Sequence, residues 1–179
     1  GAALYAYDNF QDHDITNIGP KTAQRNAMNA DRMATDMEIL DLILEYSTNL
    51  GSKKFKVFGE YIQNINSGVE KNCSYGCATN SIADDLDTAW QLGIKLASSE
   101  KMVKFGDWKM RALYRLTQQD AVFAALNDSD FHDSGTNSKG WEIGLKSALR
   151  KGMTFNYTFF ATENERGALD GSNYDIPGV

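Results

Sequence analysis

Apolar and polar residues alternate with a period of two along most of this chain, whereas helical periodicity is weak. Alternation of this kind is typical of β-strands that present one apolar and one polar face. The sequence therefore predicts about seven strands, at Leu4–Phe10, Asp36–Thr48, Lys53–Ile65, Thr88–Leu96, Trp108–Thr117, Trp141–Arg150 and Met153–Phe159. Most of these strands are close in length to the roughly 9–11 residues that a tilted strand needs to cross an outer membrane.

The links between these segments alternate in length. The short links are 49–53, 98–107 and 150–152. The long, polar links are 11–35, 66–87 and 118–139. Short turns at one end and long loops at the other are typical of an up-and-down transmembrane β-barrel. The chain is therefore predicted to be all-β, with antiparallel strands that form part of such a barrel. A weak apolar stripe in 22–37 also allows a helical segment in the first long link.

Composition leaves this interpretation open and removes several others. The chain has 179 residues, of which 42% are hydrophobic, and its mean hydropathy is −0.45. No apolar run reaches the roughly 18–20 residues of a spanning helix. A net charge of −6 disfavours nucleic acid as a partner, because phosphate binding requires a basic surface. No nucleotide-binding, metalloprotease or hydrolase motif occurs, so the residues support no enzyme, cofactor or metal site.

The two faces of the predicted strands differ in chemistry. The polar face is mostly basic, and its predicted pore-lining residues are Lys54, Lys56, Glu60, Lys95, Lys109, Arg111, Arg115, Glu142, Lys146 and Arg150. Aromatic residues on the other face are expected to form interfacial girdles, and they are Tyr46, Tyr61, Trp90, Trp108, Tyr114, Trp141 and Phe155. A basic lumen favours anionic or zwitterionic solutes. The alternatives are a solvated strand face with cross-strand ion pairs and, for the aromatic residues, ordinary packing.

Two cysteines, Cys73 and Cys77, lie close together in a polar loop. This spacing suits a small disulfide in an oxidising compartment, although free thiols remain the alternative. Half of a zinc site is disfavoured, because no second Cys/His pair exists in the sequence.

The stretch GDWKMRALYRLTQQDAVFAALNDSDFHDSGTNSKGWEIG, with the following LRKGMTFNYTFF, resembles the C-terminal region of the putative porin family of Gram-negative outer membranes. The resemblance extends from about Trp90 to Thr162 and rests mainly on the DSDF and GTNSKG segments. It implies that residues 1–179 are a single β-barrel domain, expected to be a C-terminal segment of a longer porin chain. An eight-stranded barrel with one further strand is the alternative.

The predicted constriction loop is the apolar patch within the last long link, with Asp120, Phe123, Asp128, Asp130 and Phe131 as its marked residues. A short helix on the inner wall is possible here and would contain Ala121, Val122, Phe123, Ala125 and Leu126. A purely structural plug is an equal alternative. Asp128, Asp130 and Asp133 favour a network of Asx turns over a Ca²⁺ site, because the closing Glu of an EF-hand is absent.

The predicted function is that of an outer-membrane porin for passive diffusion of small hydrophilic solutes or ions. The expected partners are outer-membrane lipid, lipopolysaccharide, such solutes and, in a homo-oligomer, further copies of the chain. Two alternatives stay open. One is a non-conducting barrel with a structural or adhesive role, and the other is a secreted soluble β-sandwich that binds carbohydrate.

Overall fold

A computed structural model describes residues 1–7, 28–29, 32–33, 37–66, 86–123, 127–128, 130–132 and 136–165. These residues form one seven-stranded antiparallel sheet and one small hairpin. The hairpin consists of β2 (Met28–Asn29) and β3 (Arg32–Met33). The sheet contains β1 (Ala2–Tyr7), β4 (Met37–Leu50), β5 (Lys53–Asn64), β6 (Thr88–Ala97), β7 (Trp108–Thr117), β8 (Ser138–Arg150) and β9 (Met153–Asn164). Among the described residues, no helix is long and apolar enough to cross a membrane.

The sheet follows the order β1-β4-β5-β6-β7-β8-β9, so each of its strands pairs with the next strand of the same sheet along the chain. The predicted up-and-down topology of seven antiparallel strands is confirmed. The first strand, predicted at Leu4–Phe10, is found at Ala2–Tyr7, and residues 8–10 lie outside the described residues. The sheet is not closed, since β1 and β9 form its two edges in the described part of the chain. It is therefore consistent with a partial barrel.

Tight turns at one end of the sheet depend on glycine. Gly51 joins β4 to β5 and Gly152 joins β8 to β9, with φ angles of 61° and 79°. Glycine adopts this left-handed conformation without a steric cost, which allows two-residue hairpins. The longer link between β6 and β7 leaves from the same end, which is called the short-turn end below. The other links leave from the opposite, long-loop end.

Two helical expectations are wrong where the structure describes the chain. Met28 pairs with Met33, and Asn29 pairs with Arg32, so these positions of the segment 22–37 form a β-hairpin. In the second case, residues Ala121–Phe123 form a bend, in which the Ala121 N–H points back to the Gln118 carbonyl. Strand pairing and a tight turn use the backbone groups that a helix would need.

The buried residues lie mainly toward the long-loop end. Met37, Leu86, Ala121 and Phe131 are buried there, together with several polar side chains. Along the middle of the sheet, by contrast, large apolar side chains remain exposed: Leu44 is 78% exposed, Tyr46 64% and Leu92 57%. A soluble monomer rarely exposes so large a continuous apolar surface.

Candidate functional site

Direct strand pairing gathers most of the predicted pore-lining residues on one side of the sheet. Lys56, Lys95 and Arg111 pair in one row across β5, β6 and β7, and this side is called the polar face. The next row toward the short-turn end contains Lys54, Lys109 and Lys146. Nearer the long-loop end, Glu60, Gln91 and Arg115 share a row.

The polar face is concave. A concavity of about 890 Å³ lies over its short-turn end and is lined by residues from every strand from β4 to β9. The cations in its lining are Lys54, Lys56, Lys95, Lys109, Arg111 and Lys146. Glu60, Arg115, Glu142 and Arg150 are outside it.

Arg150 differs from the other predicted pore-lining residues. A register shift between Ala148 and Arg150 interrupts the alternation at the end of β8, and Arg150 pairs with Met153 beside the tight turn. A β-bulge of this kind changes the direction in which the following side chains point. Strict alternation from Lys146 therefore does not assign Arg150 to the polar face. The pore-lining role of all ten residues stays a prediction.

Arg111 and Glu142 form an ion pair between β7 and β8. Glu142 is 2% exposed, so its carboxylate depends on this partner. Gly144 lies directly opposite Arg111, and a Cβ atom at Gly144 would approach the Arg111 Cγ to 3.0 Å. The absence of a side chain at Gly144 thus lets the Arg111 side chain lie over this position and reach Glu142 on the same strand.

A second glycine accommodates an aromatic ring on the polar face. Phe58 pairs with Gly93, and a Cβ at Gly93 would lie 2.4 Å from the Phe58 Cζ atom. The Lys95 Nζ lies 4.5 Å from the centre of the same ring. This contact is within the range of a cation–π interaction, which stabilises an ammonium group without a carboxylate.

The predicted constriction residues lie partly against the polar face. Phe131 is completely buried, between the Arg115 guanidinium at 4.7 Å and the Phe160 ring at 6.2 Å. Arg115 also forms a 3.2 Å ion pair with Asp128. Phe160 and Arg115 both belong to polar-face rows, so this part of the link folds over that face. Whether it narrows a pore stays a prediction.

His132 provides a further attachment of the same link. Its ring nitrogens lie 2.9 Å from the Thr162 Oγ1 and 2.9 Å from the Asn164 Oδ1, both on β9. The φ angle of His132 is 52°, an uncommon conformation for a residue with a side chain. The sequence alone does not indicate these contacts, because no local pattern shows a partner 30 residues away.

Asn64 is another residue that the sequence did not single out. It is fully buried, and its Nδ2 donates to the Asp120 carbonyl at 3.0 Å. Its Oδ1 accepts from the backbone N–H groups of Glu38 and Asn66, at 3.0 and 3.2 Å. The Asp120 N–H also donates to the Leu86 carbonyl at 2.8 Å. Asp120 is thus held at the long-loop end by β5 and by the residues that precede β6.

The Asp residues of the link form local turn contacts. The Asp128 Oδ1 accepts the Asp130 N–H at 3.1 Å, as in an Asx turn. No group of three His, Cys, Asp or Glu residues suited to a metal is present among the described residues. Asp133, Cys73 and Cys77 lie outside these residues, so the disulfide stays a prediction.

The predicted aromatic residues occupy both halves of the opposite, apolar face, which bears Val57, Ile94 and Ala112. Trp90, Tyr114 and Trp141 form a continuous cluster toward the long-loop end, with ring centres 5.6 and 5.2 Å apart. Tyr61 pairs with Trp90 in this half. Trp108 and Phe155 lie in the other half, near the short turns, where each pairs with Ser147 on β8. Tyr46 instead lies in a middle row, opposite Val57. Membrane interfaces at these levels stay a prediction.

A protein-family model described as "Putative porin" matches residues 6–176, nearly the whole chain. The chain belongs to this porin family. No curated protein and no solved structure matches it. Membership of the porin family indicates a membrane location and a channel role rather than a catalytic one, in agreement with the antiparallel sheet of the porin chain.

Proposed function

We propose that this porin chain forms part of an outer-membrane β-barrel through which small hydrophilic solutes and ions diffuse passively. One observation carries the proposal: a single sheet has an exposed apolar face on one side and a charged, concave face on the other. In a transmembrane barrel the first faces lipid and the second lines a water-filled lumen. Outer-membrane lipid and lipopolysaccharide are then the partners of the apolar face.

The soluble sandwich alternative requires a cover for the apolar face. In a sandwich, a second sheet packs about 10 Å away and buries the inward-facing residues. Leu44, Leu92 and Ile94 are instead between 47% and 78% exposed. Lipid can shield this apolar face from water without a second sheet, and this supports the membrane location in the proposal.

The barrel domain is proposed to be a segment of a longer chain. The edges at β1 and β9, which are open in the described part of the chain, support this, because unpaired strand edges are not tolerated in lipid. Closure therefore requires further pairing of these two strands, within one chain or between copies in a homo-oligomer.

A non-conducting barrel is the second candidate, and the contacts of Phe131 with the polar face favour it.

Single-channel recording distinguishes a conducting porin from a non-conducting barrel. The full-length protein is inserted into a planar lipid bilayer, with empty detergent as the blank. Stepwise current increases are expected for a porin. If insertion is verified by protease protection and no current appears, the barrel does not conduct.

A further inference from the structure

Cations face one another directly at the short-turn end of the polar face. Lys56 pairs with Lys95, Lys95 pairs with Arg111, and Lys109 pairs with Lys146. These five residues are called the cationic ladder. Side chains at directly opposite positions start from Cβ atoms about 4.5–5.5 Å apart, so like charges there destabilise the sheet.

Only part of this charge is neutralised by the protein. Lys56 forms a 2.9 Å ion pair with Glu45, and Arg111 pairs with Glu142. In the described part of the chain, by contrast, no carboxylate oxygen lies within 4.0 Å of Lys95, Lys109 or Lys146. The long-loop half of the same face differs, because Arg115 has Asp128 and Glu60 has Gln91 as a partner.

The remaining contacts of the three lysines leave ammonium protons available. Lys109 donates one hydrogen bond to the Glu100 carbonyl at 2.8 Å, and Lys95 lies over the Phe58 ring. An ammonium group has three donors, so each has capacity for an oxygen ligand. All three line the concavity of about 890 Å³, which is large enough for a small solute.

We propose that the cationic ladder binds small multivalent oxyanions, such as inorganic phosphate, and selects them among the solutes of the lumen. This inference rests on the proposed porin function. Several adjacent cations favour an anion with several charged oxygens over chloride, because each oxygen accepts a separate charge-assisted hydrogen bond. The ladder lies on the face opposite the apolar residues, so a free solute rather than a lipid phosphate reaches it.

The test uses the full-length protein in a planar bilayer with potassium chloride, to which inorganic phosphate is added. In the wild type we expect a preference for anions and a chloride current that millimolar phosphate reduces. The double variant Lys109→Gln/Lys146→Gln should need about tenfold or more phosphate for the same reduction, because one or two charge-assisted bonds are lost. Sulfate should act like phosphate, whereas acetate, with one charge, should act more weakly.

The matched control is Lys101→Gln/Lys104→Gln, which removes the same charge from the link between β6 and β7, outside the ladder. It should retain the wild-type response to phosphate. An equal loss in both double variants would show a general effect of net charge and overturn the proposal. Conductance without any response to phosphate would also overturn it, while the porin function would stand.

Absence of conductance would remove the porin function without deciding whether the ladder binds phosphate. Binding is therefore also measured by titration calorimetry with inorganic phosphate on the folded protein in detergent. A phosphate affinity that falls about tenfold or more in Lys109→Gln/Lys146→Gln and is unchanged in the control supports the site. No heat in the wild type, or the same phosphate affinity in both variants, overturns it.

Discussion

The Arg111 side chain on β7 reaches Glu142 on β8 across the space that Gly144 leaves open. Gly144→Val should fill this space and displace the guanidinium from a carboxylate that is 2% exposed. We expect the free energy of unfolding to fall by about 2–4 kcal/mol, since an unpaired buried charge is costly. Urea unfolding of the full-length protein in lipid vesicles measures the change.

Two further variants isolate the cause. Gly59→Val is the matched control, because a Cβ at Gly59 meets its neighbours at ordinary distances of 3.6 and 3.7 Å. Its effect should be small. In a Glu142→Gln background, Gly144→Val should lose much less stability, since no carboxylate then depends on Arg111. Equal losses in both backgrounds would show that Gly144 acts without the ion pair.

The strands could be predicted from sequence because each alternates over about ten residues, which is a local property. The same alternation predicted that Lys56, Lys95 and Arg111 share a face. Their direct pairing could not be predicted, since register depends on turns and long-range pairing. Gly93 and Gly144 provide space for Phe58 and Arg111, and the sequence alone does not show that these residues lie opposite one another. The sequence does not indicate Asn64 or His132 for the same reason, because the contacts that join them to Glu38, Asp120 and Thr162 span 26 or more residues.

The apolar face gives a test that separates lipid from water. Ile94 is 47% exposed in the middle of this face. In a membrane, Ile94→Lys should lower the free energy of unfolding by about 2–4 kcal/mol, because a lysine near the bilayer midplane is costly. On a water-exposed surface, the same change should stay within about 0.5 kcal/mol. Unfolding in lipid vesicles by urea decides between them.

Gln91→Lys provides the control for a new charge on the same strand. Gln91 lies on the polar face, where its side chain already contacts Glu60. A lysine there gains an ion pair with Glu60, which offsets the repulsion from Arg115 in the same row, and it faces the proposed lumen, so stability should change little. If Ile94→Lys is as harmless as Gln91→Lys, the apolar face does not contact lipid.

Phe131 attaches the link between β7 and β8 to the polar face through Arg115 and Phe160. Phe131→Ala should remove about 3–5 kcal/mol from this attachment, the usual cost of deleting a buried phenyl ring. We expect a larger single-channel conductance and faster protease cleavage within the link. Phe105→Ala is the matched control, since Phe105 is 83% exposed on the link between β6 and β7. Unchanged conductance with faster cleavage would mean that the link does not constrict the lumen.

Asn64 joins three parts of the long-loop end through one buried amide. Asn64→Ala should leave the Glu38 N–H and the Asp120 carbonyl without this partner, at about 1–3 kcal/mol for each group that stays buried. Asn64→Asp keeps an acceptor for Glu38 but places an oxygen against the Asp120 carbonyl. It should therefore loosen the link after β7 more than it disturbs the β4–β5 pair.

Amide hydrogen exchange of the full-length protein distinguishes these effects residue by residue. In Asn64→Asp, protection should fall at Asp120 and persist at Glu38, whereas Asn64→Ala should reduce protection at both. Gln63→Ala is the control, because Gln63 is adjacent in sequence, points to the other face and is only partly buried. Equal exchange at Asp120 in the wild type and both Asn64 variants would mean that the amide does not hold the link, and that other contacts, such as the hydrogen bond to the Leu86 carbonyl, fix Asp120.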